Sequence, residues 1–434
     1  MYFARILFVL LLFAPAVSWA SPDIQHWTLK NGVRVLFVET HVIPMVRVRM
    51  VFDAGSARDE PGKGGEAMMT NHLLSEGTTT LDGNAVARKL DGMGANLESS
   101  VDRDMATFGI RSLSKPKLLD PAIQILQQLL RDPAFPEKSL QRERGRALVG
   151  LAQQLQSPDS IADRAFFKAL YGTHPYAHDP SGTAKSIKAL TRKDLVDFHE
   201  RYYVGANAVL VMVGDLSKSQ AHRIASEVAG DLPRGKAAPS LPPAPVLKKA
   251  VTRKIVFPSH QTHVLFGAPG DHRGDPDYFP LYVGNYILGG GGLVSRLSKE
   301  VREKQGLTYG VYSYFYPLRV NGPFVTGLQT RTKEYKRAMR LTRAIMDKYI
   351  QDGPTEKELK AAKEHITGGF PLRIDTSGKI AGYLAVIGFY HLPLTYLDDF
   401  NRKVDAVTVA QIRDAFRRRL HPARMVTVTV GAKG

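Results

Sequence analysis

The sequence predicts an α+β fold of two homologous half-domains, each a mainly antiparallel sheet with helices packed on one face. Three observations carry this. The chain repeats itself at a fixed offset of 217: Thr191-Arg-Lys-Asp-Leu-Val-Asp197 falls on Thr408-Val-Ala-Gln-Ile-Arg-Asp414, and Asn207-Ala-Val-Leu-Val-Met-Val-Gly214 on Arg424-Met-Val-Thr-Val-Thr-Val-Gly431. In both copies a helix-like stretch leads into a β-branched strand that stops at glycine. Between the copies, residues 231–245 hold five prolines, which remove backbone donors and favour an extended linker. Within each half, strand and helix signals are mixed rather than strictly alternating, the pattern of a sheet with segregated helices. The predicted division is a leader over 1–20, a first half over 21–230, a linker over 231–247 and a second half over 248–434.

The elements follow in order. Met1 to Arg5 is a short positive region, Ile6 to Phe13 is apolar, and Ser18-Trp-Ala20 has the small-x-small form of a cleavage site, so 1–20 reads as a signal peptide. The apolar run is shorter than the ~20 residues of a bilayer span. The expectation is an exported protein without stable membrane insertion, periplasmic if the source is Gram-negative. Val33–Val38 and Met45–Phe52 read as paired strands, with Arg47 and Arg49 alternating against Val46, Val48 and Met50. Helices are predicted over Glu66–Glu76, Asn84–Met93 and Pro121–Arg131.

Composition excludes several classes. With 44% hydrophobic and 23% charged residues, 434 residues form a sizeable core, which rules out disorder of the whole. Cysteine is absent, removing disulfides, thiolate metal sites and cysteine nucleophiles. Any metal needs His, Asp or Glu. Residues 21–240 carry a net +3 and 241–434 a net +14, with Arg5 completing the formal +18. No nucleic-acid module accompanies this charge, so nucleic acid is not an expected partner.

The chemistry centres on Gly64-Gly-Glu-Ala-Met68-Met-Thr-Asn71-His72-Leu-Leu-Ser-Glu76-Gly77-Thr78. Residues 68, 71 and 72 share one helical face, the spacing with which two side chains grip a metal while a third acts beside it. Here the sequence resembles the pitrilysin/insulinase family of metallopeptidases, the inverzincins, whose helix carries H-x-x-E-H in the same setting. Asp53-Ala-Gly-Ser-Ala-Arg-Asp-Glu60, Asp132-Pro-Ala-Phe135, Gly172-Thr-His-Pro-Tyr176, Leu288-Gly-Gly-Gly-Gly292, Ser295-Arg-Leu297 and Val301-Arg-Glu-Lys-Gln-Gly-Leu-Thr-Tyr309 are similar to further landmarks of that family, in order. The resemblance runs from about residue 24 to the end.

Position by position, the family's catalytic residues are replaced. Met68 stands where the resemblance places the first zinc-binding His, and a thioether is a poor zinc ligand. Asn71 replaces the general base, and an amide cannot take a proton from metal-bound water. Gly150 falls at the third ligand, while Glu143 matches an earlier, non-ligand Glu. Only His72 remains, against the three protein ligands of a catalytic zinc site. His174 and His178 are separated by Pro175 and belong to a loop. His260 and His263 lie on a strand-like segment where i and i+3 point to opposite faces. No metal or other cofactor is therefore expected in this chain.

In the second half Arg302 and Tyr309 match an Arg/Tyr pair that the resemblance implies reaches a zinc site in trans, holding the bound peptide and the developing oxyanion. From spacing alone, an Arg capping its own helix and a Tyr in a packed aromatic strand fit as well. Gly289–Gly292 is a glycine turn with no Lys-Ser/Thr after it, which weakens a phosphate-cradling reading. In Gly94-Ala-Asn-Leu-Glu98-Ser-Ser100 the resemblance implies a peptide-binding edge strand, from whose pattern Glu98 and Ser99 depart. The expected function is a non-catalytic, substrate-binding subunit of an exported heterodimeric zinc peptidase, whose zinc resides in a homologous H-x-x-E-H partner. The alternative is a non-enzymatic peptide-binding or scaffold protein of the same fold.

Overall fold

The computed structural model describes residues 22–432; the expected signal peptide lies outside them. The first half runs β1 (Gln25–Thr28), β2 (Arg34–Glu39), β3 (Met45–Phe52), α1 (Glu66–Leu73), α2 (Gly83–Gly92), β4 (Asn96–Val101), β5 (Ala106–Leu113), α3 (Pro116–Arg131), α4 (Glu137–Gln154), α5 (Pro158–Tyr171), α6 (Ala184–Ala189), α7 (Arg192–Tyr202), β6 (Ala208–Gly214) and α8 (Lys218–Ala229). The second runs β7 (Val251–Val256), β8 (Gln261–Pro269), α9 (Tyr278–Asn285), β9 (Gly310–Phe315), β10 (Pro323–Arg331), α10 (Tyr335–Asp352), α11 (Glu356–Gly368), α12 (Ser377–Phe389), α13 (Tyr396–Asp405), α14 (Val409–Arg419) and β11 (Val426–Gly431). Residues 233–247 between them form no helix or strand. Among the described residues no helix is long and apolar enough to cross a membrane.

The sheets are ordered β1-β2-β6-β3-β5-β4 and β7-β11-β8-β10-β9. Each has one parallel pair, β2 with β6 and β7 with β11, and is otherwise antiparallel. The repeat is thus structural: Val213–Arg47–Arg111–Asn96 across the first sheet matches Val430–His263–Gln329–Gly310 across the second. Thr191 and Thr408 even cap α7 and α14 with the same reciprocal capping box.

Two expectations need correction. The strands at Val33–Val38 and Met45–Phe52 are not paired, because β6, fully buried and β-branched, inserts between β2 and β3 and takes both edges. The helix expected from Pro121 begins at Pro116. Pro116 fits the first turn, and Pro121 forfeits one backbone bond while Leu119, Ile123, Leu126 and Leu130 stay buried on one face.

Each half's own helices cover one face of its sheet. The opposite face is covered by a helix from the other half. Phe166, Phe167 and Leu170 of α5 pack with Val426, Val428 and Val430 of β11, and Leu384, Ala385 and Ile387 of α12 pack with Leu36, Val209 and Val211 of β2 and β6. Gly388 makes that approach possible, since a Cβ there would lie 2.6 Å from Val209 Cγ1. At the junction the buried Asp104 accepts from the Tyr390 hydroxyl (2.8 Å), the Arg319 backbone N–H (2.7 Å) and the Tyr176 hydroxyl. Two apolar seals and this buried acceptor make the halves one body.

Candidate functional site

The N-cap position of α1 is Gly65, which has no side chain to cap the helix. The Asp59 carboxylate substitutes, accepting from the N–H groups of Gly65 and Ala67, both at 2.8 Å, and meeting His178 Nε2 at 3.0 Å. The Asp53-to-Glu60 landmark and His178 thus hold the helix rather than a metal. His174 is likewise structural, with Nε2 on the Pro242 carbonyl at 2.9 Å and Nδ1 accepting from the Tyr176 N–H. His263 contacts Asp159 of α5 across the half-domain junction, and His260 precedes the strand.

On the landmark helix the three positions do different work. Met68 is half-buried against the first-half core. Asn71 is fully buried, and its Nδ2 donates to the carbonyls of Thr107 (3.1 Å) and Ser100 (3.4 Å), tying α1 to β5 and β4. Its Oδ1 is buried without a partner. His72 is exposed, with the Glu143 carboxylate nearby. On α4, Arg142 pairs with Glu76 and with Glu143 (3.2 Å), and Arg146 also holds Glu143 (2.7 Å). Guanidinium groups therefore occupy the carboxylates beside His72. Gly150 contributes no donor, and a Cβ added there would meet nothing within 4 Å.

A family-type zinc ion does not fit this set. The thioether is a poor ligand, the amide is committed to backbone carbonyls, and one imidazole remains. Among the described residues no group of three His, Asp or Glu could hold a metal ion.

The edge strand β4 is also altered. Glu98 reaches over Gly109 of β5 to Arg49 (2.9 Å) and to Arg47 of β3. Burial raises the Glu98 carboxyl pKa, but the two guanidinium groups outweigh it and hold the pKa below its ordinary value.

The second half presents an open counterpart. α9 and the π-helical turn Tyr286–Gly290 carry Tyr282, Asn285 and Tyr286 in the spacing of Met68, Asn71 and His72. Asn285 Nδ2 donates to the Ser313 carbonyl of β9 (3.0 Å), and Ser313 Oγ returns a bond to Asn285 Oδ1 (2.7 Å). Gly289 approaches β9 so closely that a Cβ would lie 2.4 Å from Ser313 Oγ, and Gly292 has φ +61°, so packing and backbone geometry require these glycines. Between this segment and β9 runs a cleft of about 450 Å3.

Arg302 sits on a second π-helical turn, Ser298–Glu303, with Val301 fully buried beside it. Gly306, at φ +57°, turns the chain back. Leu307 is buried, and Thr308 Oγ1 donates to the Gln329 carbonyl of β10 (2.6 Å). The anchors on either side leave Tyr309 88% exposed, and its ring lies 5.1 Å from the Arg302 guanidinium carbon. Among the described residues no carboxylate pairs with Arg302. The pair is neither a helix cap nor a packed aromatic strand; it is a solvent-facing phenol beside a half-buried guanidinium.

Sequence reasoning missed Arg142, which spans Glu76 and Glu143, and read the closely spaced tyrosines of β9 only as a packed aromatic strand. The exposed Tyr312 and Tyr314 stack at 6.0 Å, and their alternation with buried Val311 and Ser313 was a usable signal.

Known proteins bear on this geometry. The Insulinase (Peptidase family M16) pattern matches residues 34–183, and that of the Peptidase M16 inactive domain matches 189–366. A Helicobacter pylori protein described as the non-peptidase homolog YmxG is 26% identical over 94% of each chain. A crystal structure of a peptidase M16 inactive domain from Pseudomonas fluorescens is 40% identical, with TM-score 0.91, over 95% of this chain and 99% of that one. The periplasmic protease PqqL from Escherichia coli shares the fold at TM-score 0.77 and 16% identity, with 95% of this chain covering 48% of that one.

Proposed function

Because the chain belongs to the insulinase (M16) peptidase family while its own metal positions are dismantled, we propose that it is the substrate-binding, non-catalytic subunit of a heterodimeric zinc peptidase that degrades peptides. Its partner is a homologous chain with an intact H-x-x-E-H helix, which supplies metal and base. The observation that carries the reading is the Arg302/Tyr309 pair, an exposed phenol beside a half-buried guanidinium. A guanidinium and a phenol held 5.1 Å apart, with no carboxylate on the guanidinium among the described residues, offer forked and directional donors to a peptide carbonyl or an oxyanion. The β9 edge and its cleft offer an extended peptide backbone hydrogen bonds and aromatic contact. The half-length match to PqqL supports completion by a second, similar unit. The signal-like segment 1–20 supports an exported complex, periplasmic if the source is Gram-negative.

Mixing the chain with an exported H-x-x-E-H homologue should give a one-to-one complex by native mass measurement and peptide cleavage well above that of either chain alone. Two chains that stay separate, with unchanged activity, would refute the reading. A pure scaffold predicts a complex without cleavage.

A further inference from the structure

Between α9, α13 and the start of α12 lies a cleft of about 360 Å3 walled by Tyr278, Tyr282, Tyr383 and Tyr396. Three cations line it, Arg273, Arg373 and Lys379, and no Asp or Glu does. Lys379 pairs with Asp375 at 2.8 Å outside the lining. The Arg373 guanidinium carbon stands 6.0 Å from the Tyr282 ring and that of Arg273 5.6 Å from the Tyr390 ring, and neither forms an ion pair among the described residues. Arg273 Nε is buried with no hydrogen-bond partner among the described residues. The N-terminus of α12, capped by Thr376, adds its partial positive charge at Lys379. Cations without lining anions, on low-dielectric aromatic walls, focus a positive potential.

This cleft shares Arg273, Tyr278 and Tyr282 with the cleft along β9. A peptide extended on that edge would bring one of its groups here. We propose that the Arg273–Arg373–Lys379 cleft binds a carboxylate of the bound peptide, its C-terminal group or an acidic side chain. The inference rests on the peptide-binding reading and adds a substrate class, peptides carrying a carboxylate at one end of the bound segment. Aromatic walls favour an anion carried on a chain over a bare inorganic one, and the planar guanidinium fork matches a carboxylate.

Binding of fluorescein-labelled decapeptides to the full chain tests this. The parent has a free C-terminus and one Glu; one version is amidated, a second has Glu replaced by Gln, and a third has both changes. One of the two neutralisations should weaken binding about tenfold and so identify which carboxylate is held. Arg373→Gln, at an exposed position the fold tolerates, should weaken the parent similarly and erase the difference between versions. Arg373→Lys should restore part of it. Equal binding of all versions, or an unchanged preference in Arg373→Gln, overturns the carboxylate site while leaving the peptide-binding reading intact. Pyrophosphate displacing the peptide while binding more tightly also overturns it. Failure of the wild-type chain to bind any version overturns both.

Discussion

At matching register positions, Glu98 on β4 and Tyr312 on β9 each face a glycine of the neighbouring strand, Gly109 and Gly327. Glu98 crosses its glycine to pair with Arg47 and Arg49, whereas the Tyr312 ring lies over Gly327, where a Cβ would be 2.4 Å from Cζ. The first edge is neutralised internally; the second stays aromatic, with an unpaired guanidinium nearby. The helical segments behind the edges differ the same way, since Arg142 ties Glu76 and Glu143 beside His72 while Arg302 has no carboxylate partner among the described residues. One architecture, used twice, has had its chemistry closed in one half and left open in the other.

The most drastic way to break the contrast is to rebuild the closed site. Met68→His, Asn71→Glu and Gly150→Glu together should raise zinc content to about one per chain by metal analysis, because α1 and α4 already pack together and position 150 opens onto free space. The first two changes without Gly150→Glu should bind far less. A zinc-free triple variant would mean that the backbone has departed along with the side chains.

A smaller effect compares the two asparagines. Asn285→Ala removes bonds on both sides of a buried amide and should cost about 2–3 kcal/mol in denaturant unfolding. Asn71→Ala loses donors only, with the Oδ1 already unpaired, and should cost about 1 kcal/mol. Equal costs would remove this distinction between the helices.

Glu98→Gln should cost less again, about 0.5 kcal/mol, since its side chain keeps 25% exposure and solvent screens the pair. The folded-state pKa of Glu98 lies below its ordinary 4.5, so its contribution is present above that value and is lost as pH falls through the lower, folded value. Comparing wild type with Glu98→Gln from pH 7 to pH 3, the stability difference should shrink only below about 4.5. A difference that grows on acidification would contradict the ion-pair account.

Much of this was legible in the sequence because it depends on local pattern. The Met45–Phe52 strand and the α1 face carrying Met68, Asn71 and His72 follow from periodicity and spacing. The fixed-offset repeat exposed only α7 with β6 and α14 with β11, because loops of unequal length shift the spacing elsewhere, and only hydrogen-bond register restores Glu98 to Tyr312. The insertion of β6 and the exchange of α5 and α12 depend on contacts some hundred residues or more apart, which no local window contains. The isolation of Arg302 and Tyr309 depends on Thr308 anchoring to β10.

The central claim is that this chain supplies grip while the metal chemistry comes from elsewhere. Its most direct test is peptide hydrolysis by the proposed heterodimer assembled with Arg302→Ala, with zinc content measured on the same sample. The account predicts unchanged zinc and a kcat/KM lower by about 100-fold, with a smaller loss for Tyr309→Phe. Wild-type kcat/KM in the Arg302→Ala complex would contradict it.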